Sequence, residues 1–161
     1  MEPLITLVAV TGLLLLAGVF GAARVGRPVV ALRGGLAAMF LLTGEAHFVG
    51  MRAEIVAMVP PGLPFPGLLV TLSGLAEIVC AAALLDARTA RAAAAVLGVL
   101  LLVMFPANVH AARGDVPRWD RLGPRTAMQA VFLAATVTVF LRHRTAPATE
   151  RTGRCHRRSL G

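Results

Sequence analysis

The chain has no lysine and few carboxylates. Its 161 residues carry 16 basic side chains, all arginine, against 8 Asp and Glu. A formal charge of +8 would suit a nucleic acid if the arginines formed one patch. Instead they stand between apolar segments and in the C-terminal stretch, where six Arg from Arg142 onward against Glu150 account for +5. Nucleic acid is therefore set aside, and anionic lipid headgroups are the expected partner of that tail. Cysteine is equally scarce. Cys80 lies in an apolar run and Cys155 in the tail, so neither a disulfide nor a cysteine metal site is expected. No HExxH pair and no phosphate-cradling glycine loop occurs, and no metal is expected.

What the chain has is apolar length. Hydrophobic residues make up 57% and the mean hydropathy is +0.77. A soluble domain holds roughly 45–50%, so the excess points to a membrane. The central stretch is Pro66–Leu85, PGLLVTLSGLAEIVCAAALL, 20 mostly apolar or small residues with Glu77 near the middle. As a helix it spans roughly 30 Å, the hydrocarbon thickness of a bilayer. A carboxylate at that depth costs about 2.5–3.5 kcal/mol, so Glu77 is expected to face protein.

Four other segments read as its bundle. Leu4–Ala23 is charge-free and long enough to span, with the small-residue pairs Ala17/Gly21 and Gly18/Ala22; as a signal peptide it would lack a basic start. Val29–Val49 carries Arg33 one turn in, placed to snorkel, with Glu45 and His47 near its far end. Arg52 and Glu54 follow as a solvated pair, then the proline-broken connection MVPPGLPFPG. Ala92–Val109 holds Pro106, which should kink or end it, and Asn108, with His110 just beyond; Ala92–Ala95 suits tight packing. Thr126–Leu141 places Gln129 in its first turn. Trp119, in the longest polar loop, suits the headgroup level. The expected organisation is an N-terminal transmembrane helix and basic loop over residues 1–28, a four-helix membrane domain over 29–141, and a disordered tail over 142–161. With five spans and the N-terminus outside, eleven arginines fall in the cytoplasm and five outside. N-out and C-in is the expected topology.

In that arrangement Glu45, His47, Asn108, His110 and Gln129 gather at the extracytoplasmic end, with Glu77 at mid-depth. These six are the candidate ligand-binding residues. Each has a plainer role: Glu77 as protonated hydrogen-bond glue, His47 as a satisfied interfacial histidine, and Asn108 as a partner for backbone groups freed by Pro106. Gln129 could equally cap its own helix or hydrogen-bond a neighbour, and His110 could be exposed. Glu45 and His47 stand about 200° apart on a regular helix, so both cannot face one ligand.

Three stretches together resemble the DoxX family of small bacterial membrane proteins: TGEAHF at Thr43–Phe48, VPPGLPFPGLLVTLSGLAEI at Val59–Ile78, and MFPANVH at Met104–His110. The TAR step at Thr89–Arg91 and the Arg125…Gln129 pair are also similar, so the resemblance covers roughly Ala31–Leu141. It implies an all-α fold with a four-helix transmembrane core, to which the first segment and the tail are additions, in a bacterial inner membrane. It marks His47, Glu77, Asn108 and Gln129 as the recurrent polar residues, and puts Glu45 where the family varies. Some relatives are associated with sulfur-compound oxidation coupled to quinone. The resemblance thus admits an accessory subunit of a quinone-linked redox system, with a membrane redox partner and with quinone as the candidate cofactor. A non-catalytic scaffold and a small transporter are the alternatives, and no catalytic residue is assigned.

Overall fold

The computed structural model describes residues 2–22, 24, 26–112 and 122–142. Six helices account for most of them: α1 Glu2–Val19, α2 Pro28–Ala46, the short α3 Arg52–Ala57, α4 Pro66–Leu85, α5 Ala90–Ala111 and α6 Leu122–Arg142. Five of these, all but α3, are long and apolar enough to cross a membrane. Their outer faces leave large side chains such as Leu16, Leu72, Val79, Val103 and Leu141 more than half exposed. Such surface is stable against lipid tails and not against water.

Proline starts α2 and α4, where its missing N–H is one of the unpaired donors of the first turn anyway. The central segment forms over the residues expected of it. Pro106 does not end α5, which continues five residues further to Ala111. The proline removes only the one ladder bond of its own missing N–H. The last segment begins four residues earlier than expected, at Leu122, which moves Gln129 from the first turn into the second.

Successive membrane helices pack side by side and α2 also meets α6, which closes the bundle. Paired contacts run in opposite senses along the chain, so neighbours are antiparallel: Arg91 lies over the Phe140 ring at 4.7 Å, and further along Asn108 meets Gln129. The core takes Leu7 from α1, Leu36, Met39 and Phe40 from α2, Ala81 and Leu84 from α4, Ala93, Ala94 and Leu97 from α5, and Val139 from α6. Ala93 and Ala94 are thus the half of the alanine run that packs. The buried residues of α4, Val70, Gly74, Glu77, Cys80, Ala81 and Leu84, form one stripe along a single face.

The first helix joins this core through Leu7 and crosses α2 at Gly34 and Gly35, where Leu14 and Thr11 fill the space a side chain would take. Its expected small-residue pairs do not act as pairs. Gly18 backs onto Gly26 of the connection, while Gly21 and Ala22 lie beyond the helix and exposed. Arg33 does not snorkel. It is 7% exposed and donates from Nε to Leu84 O at 2.7 Å and from Nη2 to Leu85 O at 2.8 Å. Those carbonyls end α4 without helical partners, and a guanidinium satisfies them and their partial negative charge together. The Asp86 carboxylate adds attraction for the same cation. The loop carrying Trp119, the tail expected to be disordered, and Cys155 lie outside the described residues.

Candidate functional site

Two glycines bring α2 and α4 together where His47 and Glu77 stand. A Cβ on Gly74 would lie 2.5 Å from the His47 Cβ, and a Cβ on Gly44 would lie 3.1 Å from the Glu77 Cβ. Each helix therefore carries a glycine three residues before its polar residue, and the antiparallel register sets each polar residue on the other helix's glycine. In lipid, with no hydrophobic force between helices, such close approach is a main source of association.

Thr43, one turn before His47, ties the two titratable groups together. Its hydroxyl donates to Glu77 Oε2 at 2.6 Å, and its carbonyl oxygen lies 2.8 Å from His47 Nδ1. Both residues are buried, His47 at 4% exposure and Glu77 at 5%. Glu77 has found a donor across the seam. The other ring nitrogen of His47, Nε2, is buried with no hydrogen-bond partner. The satisfied histidine that the sequence allowed is thus satisfied on one side only.

Arg52 closes the end of this seam. It is not held as a solvated partner of Glu54, which is exposed. Its guanidinium donates to His47 O at 3.1 Å, to Gly67 O at 3.3 Å and to Thr71 Oγ1 at 3.0 Å. These bonds pin α3 to the end of α2 and the start of α4. The apolar connection that follows has Leu63 and Phe65 exposed, with Phe65 in the left-handed region at φ 53° just before Pro66.

Asn108 and Gln129 form a second polar group, between α5 and α6. They are the chain's only asparagine and only glutamine. Asn108 Nδ2 donates to Gln129 Oε1 at 2.7 Å, and Gln129 Nε2 donates to Leu101 O at 2.5 Å. Of the plainer roles, the one that holds is Gln129's hydrogen bonding to a neighbouring helix. Gln129 does not cap its own helix, and the Asn108 side chain bonds α6 rather than backbone freed by Pro106. Gln129 donates to the Leu101 carbonyl, five residues before Pro106, whereas the ladder bond that the proline lacks would have gone to Leu102 O.

The six candidates therefore divide. His47 and Glu77 share the α2–α4 seam, Asn108 and Gln129 share the α5–α6 contact, and Glu45 and His110 are exposed outside both groups. Sequence reasoning missed Thr43, Gly44 and Gly74. The signal for them was the repeated Gly-x-x-polar spacing in Gly44–His47 and Gly74–Glu77. Among the described residues no three His, Cys, Asp or Glu gather as metal ligands.

Five apolar helices that bury their polar groups against one another, under an apolar outer surface, define an all-α, multi-pass membrane protein. Within that class, residues 36–131 match the family model described as a domain of unknown function, DUF8561, and the chain belongs to that family. The matched stretch contains both polar groups and excludes α1. No curated protein and no solved structure matches the chain.

Proposed function

We propose that the protein is a DoxX-like bacterial inner-membrane protein whose α2–α4 seam binds a small lipophilic molecule, with quinone as the candidate. In this reading it serves as an accessory subunit of a quinone-linked redox system. The observation that carries the reading is the unpartnered Nε2 of His47, buried beside Glu77 on a close helix contact. A buried polar atom without a partner is costly and rare, and a ligand is one thing that repays it. Asn108 and Gln129, being bonded to each other, are assigned to holding α5 on α6, so the binding site narrows to His47, Glu77 and Thr43. Glu45 and His110 have no part in it.

The topology proposed is N-out and C-in. Arg24, Arg27, Arg88 and Arg91 then share the cytoplasmic end with the arginine-rich tail, where anionic headgroups attract them, and the buried Arg33 lies at the same end. A membrane-impermeant thiol reagent reads this directly, because Cys155 lies in the tail and Cys80 is buried. Cys155 should be protected in intact cells and labelled in inverted vesicles.

Native mass spectrometry of the protein from its own membrane in mild detergent, beside Glu77→Gln, tests the pocket. A quinone or lipid bound to wild type and lost in the variant supports it. An empty wild type, or a ligand kept by both, favours the second reading, a scaffold whose polar groups only lock helices. The Thr43–Glu77 and Asn108–Gln129 bonds are what that reading has in its favour.

A further inference from the structure

His47 leaves one hydrogen-bonding atom in the seam unused, and the chemistry of that atom is fixed by its ring partner. Nδ1 lies 2.8 Å from the carbonyl oxygen of Thr43, which can only accept. Nδ1 therefore carries the proton, and in the neutral ring Nε2 holds a lone pair and no hydrogen. Among the described residues no donor bonds it. The Thr43 hydroxyl is given to Glu77, and the described bonds of Arg52 go to His47 O, Gly67 O and Thr71.

We infer that the seam holds its ligand through a hydroxyl that donates to His47 Nε2, preferring a lipophilic hydroxyl compound to the matching carbonyl or ether. The inference rests on the pocket reading above and adds the ligand's required polarity, which within a quinone couple selects the reduced hydroquinone over the quinone. A hydroxyl supplies the missing donor. A carbonyl or ether oxygen sets lone pair against lone pair and leaves the nitrogen as costly as before. For the ligand's apolar body the neighbour at hand is Phe48. It shares the bare face of Gly74 with His47, its Cε2 lying 3.0 Å from where a Cβ on that glycine would be. Nε2 is sealed in this packing, so a side chain must move for a ligand to reach it. Phe48 is 39% exposed and lies in the turn beyond α2, where a change of rotamer disturbs no helical ladder.

The test uses the full chain in lipid nanodiscs with three probes: para-decylphenol, its methyl ether, and decyl-benzoquinone. The phenol should bind at least about tenfold tighter than the other two, the worth of one well-made buried hydrogen bond. His47→Phe should remove that preference. Equal binding of all three that still depends on His47 would overturn the hydroxyl inference and leave the pocket standing. No saturable binding of any probe, or binding indifferent to His47 and Glu77, would overturn the pocket and the inference together. Because His47→Phe could disturb folding, the nitrogen-15 spectrum of His47 in wild type gives an independent reading. A neutral ring protonated on Nδ1 is expected, and an Nε2-protonated ring or an imidazolium overturns the inference.

Discussion

The Cβ of His47 rests on the bare α-carbon of Gly74. Three residues along, Glu77 repeats the contact on Gly44, so the seam is built twice in opposite directions, each time from a glycine and a titratable side chain. The contact leaves no room for a methyl group. Gly74→Ala would press on His47 and Phe48 at once and should destabilise the bundle by about 1–3 kcal/mol, the usual cost of overpacking. Thermal unfolding in detergent measures it. A variant as stable as wild type would mean that the helices can part without loss.

Thr43 separates two effects in one side chain. Thr43→Val keeps the shape and the carbonyl that orients His47, but removes the hydroxyl from Glu77. Bonds of this kind between membrane helices are worth about 0.6–1.7 kcal/mol, and that loss is expected. Thr43→Ser should recover most of it. If Val and Ser behave alike, the hydroxyl contributes nothing and only the packing matters.

The Asn108–Gln129 pair calls for a double-mutant cycle. Gln129→Leu removes two bonds and Asn108→Leu one, so the glutamine variant should be the less stable. A coupling of about 0.5 kcal/mol or more is expected, since the two side chains share a bond. Additive losses would show that Gln129 acts on Leu101 O independently of Asn108.

Arg33 is the most consequential single side chain for the opposite end of the bundle. Arg33→Leu leaves the carbonyls of Leu84 and Leu85 without their donor and should cost about 1–3 kcal/mol. Arg33→Lys should recover only part, because a point-charge ammonium does not reproduce the guanidinium fork. Helix stability at Leu84 and Leu85 can be followed by amide hydrogen exchange. Unchanged protection there in Arg33→Leu would mean that the cap does not hold α4.

The spans were legible in the sequence because length and apolarity decide them, and Pro66–Leu85 could be read to the residue. What was not legible is which polar residue meets which. Glu45 and His47 could not both face one ligand, and the resemblance favoured His47; the pairing of α2 with α4 buries His47 and leaves Glu45 outside, and that pairing is a tertiary fact. Pro106 read as a kink or an end because a proline removes one ladder bond, yet α5 continues to Ala111. Gln129 bonds the Leu101 carbonyl from another helix, which chain order does not show. Arg33 read as a snorkelling residue for the same reason: its acceptors lie 51 and 52 residues away in the chain.

The helix α4 is held by an arginine at each end, Arg33 at Leu84 and Leu85 and Arg52 at Gly67 and Thr71, with Thr43 on Glu77 between them. All three come from the chain that precedes it. Drawn mechanically from its C-terminus, the protein would not release α4 alone, since three sets of polar bonds in series along its length would have to rupture first. It would surrender α4 and α2 in one step, as a hairpin. During synthesis the same asymmetry means that these acceptors of α4 leave the ribosome after the donors Arg33, Thr43 and Arg52.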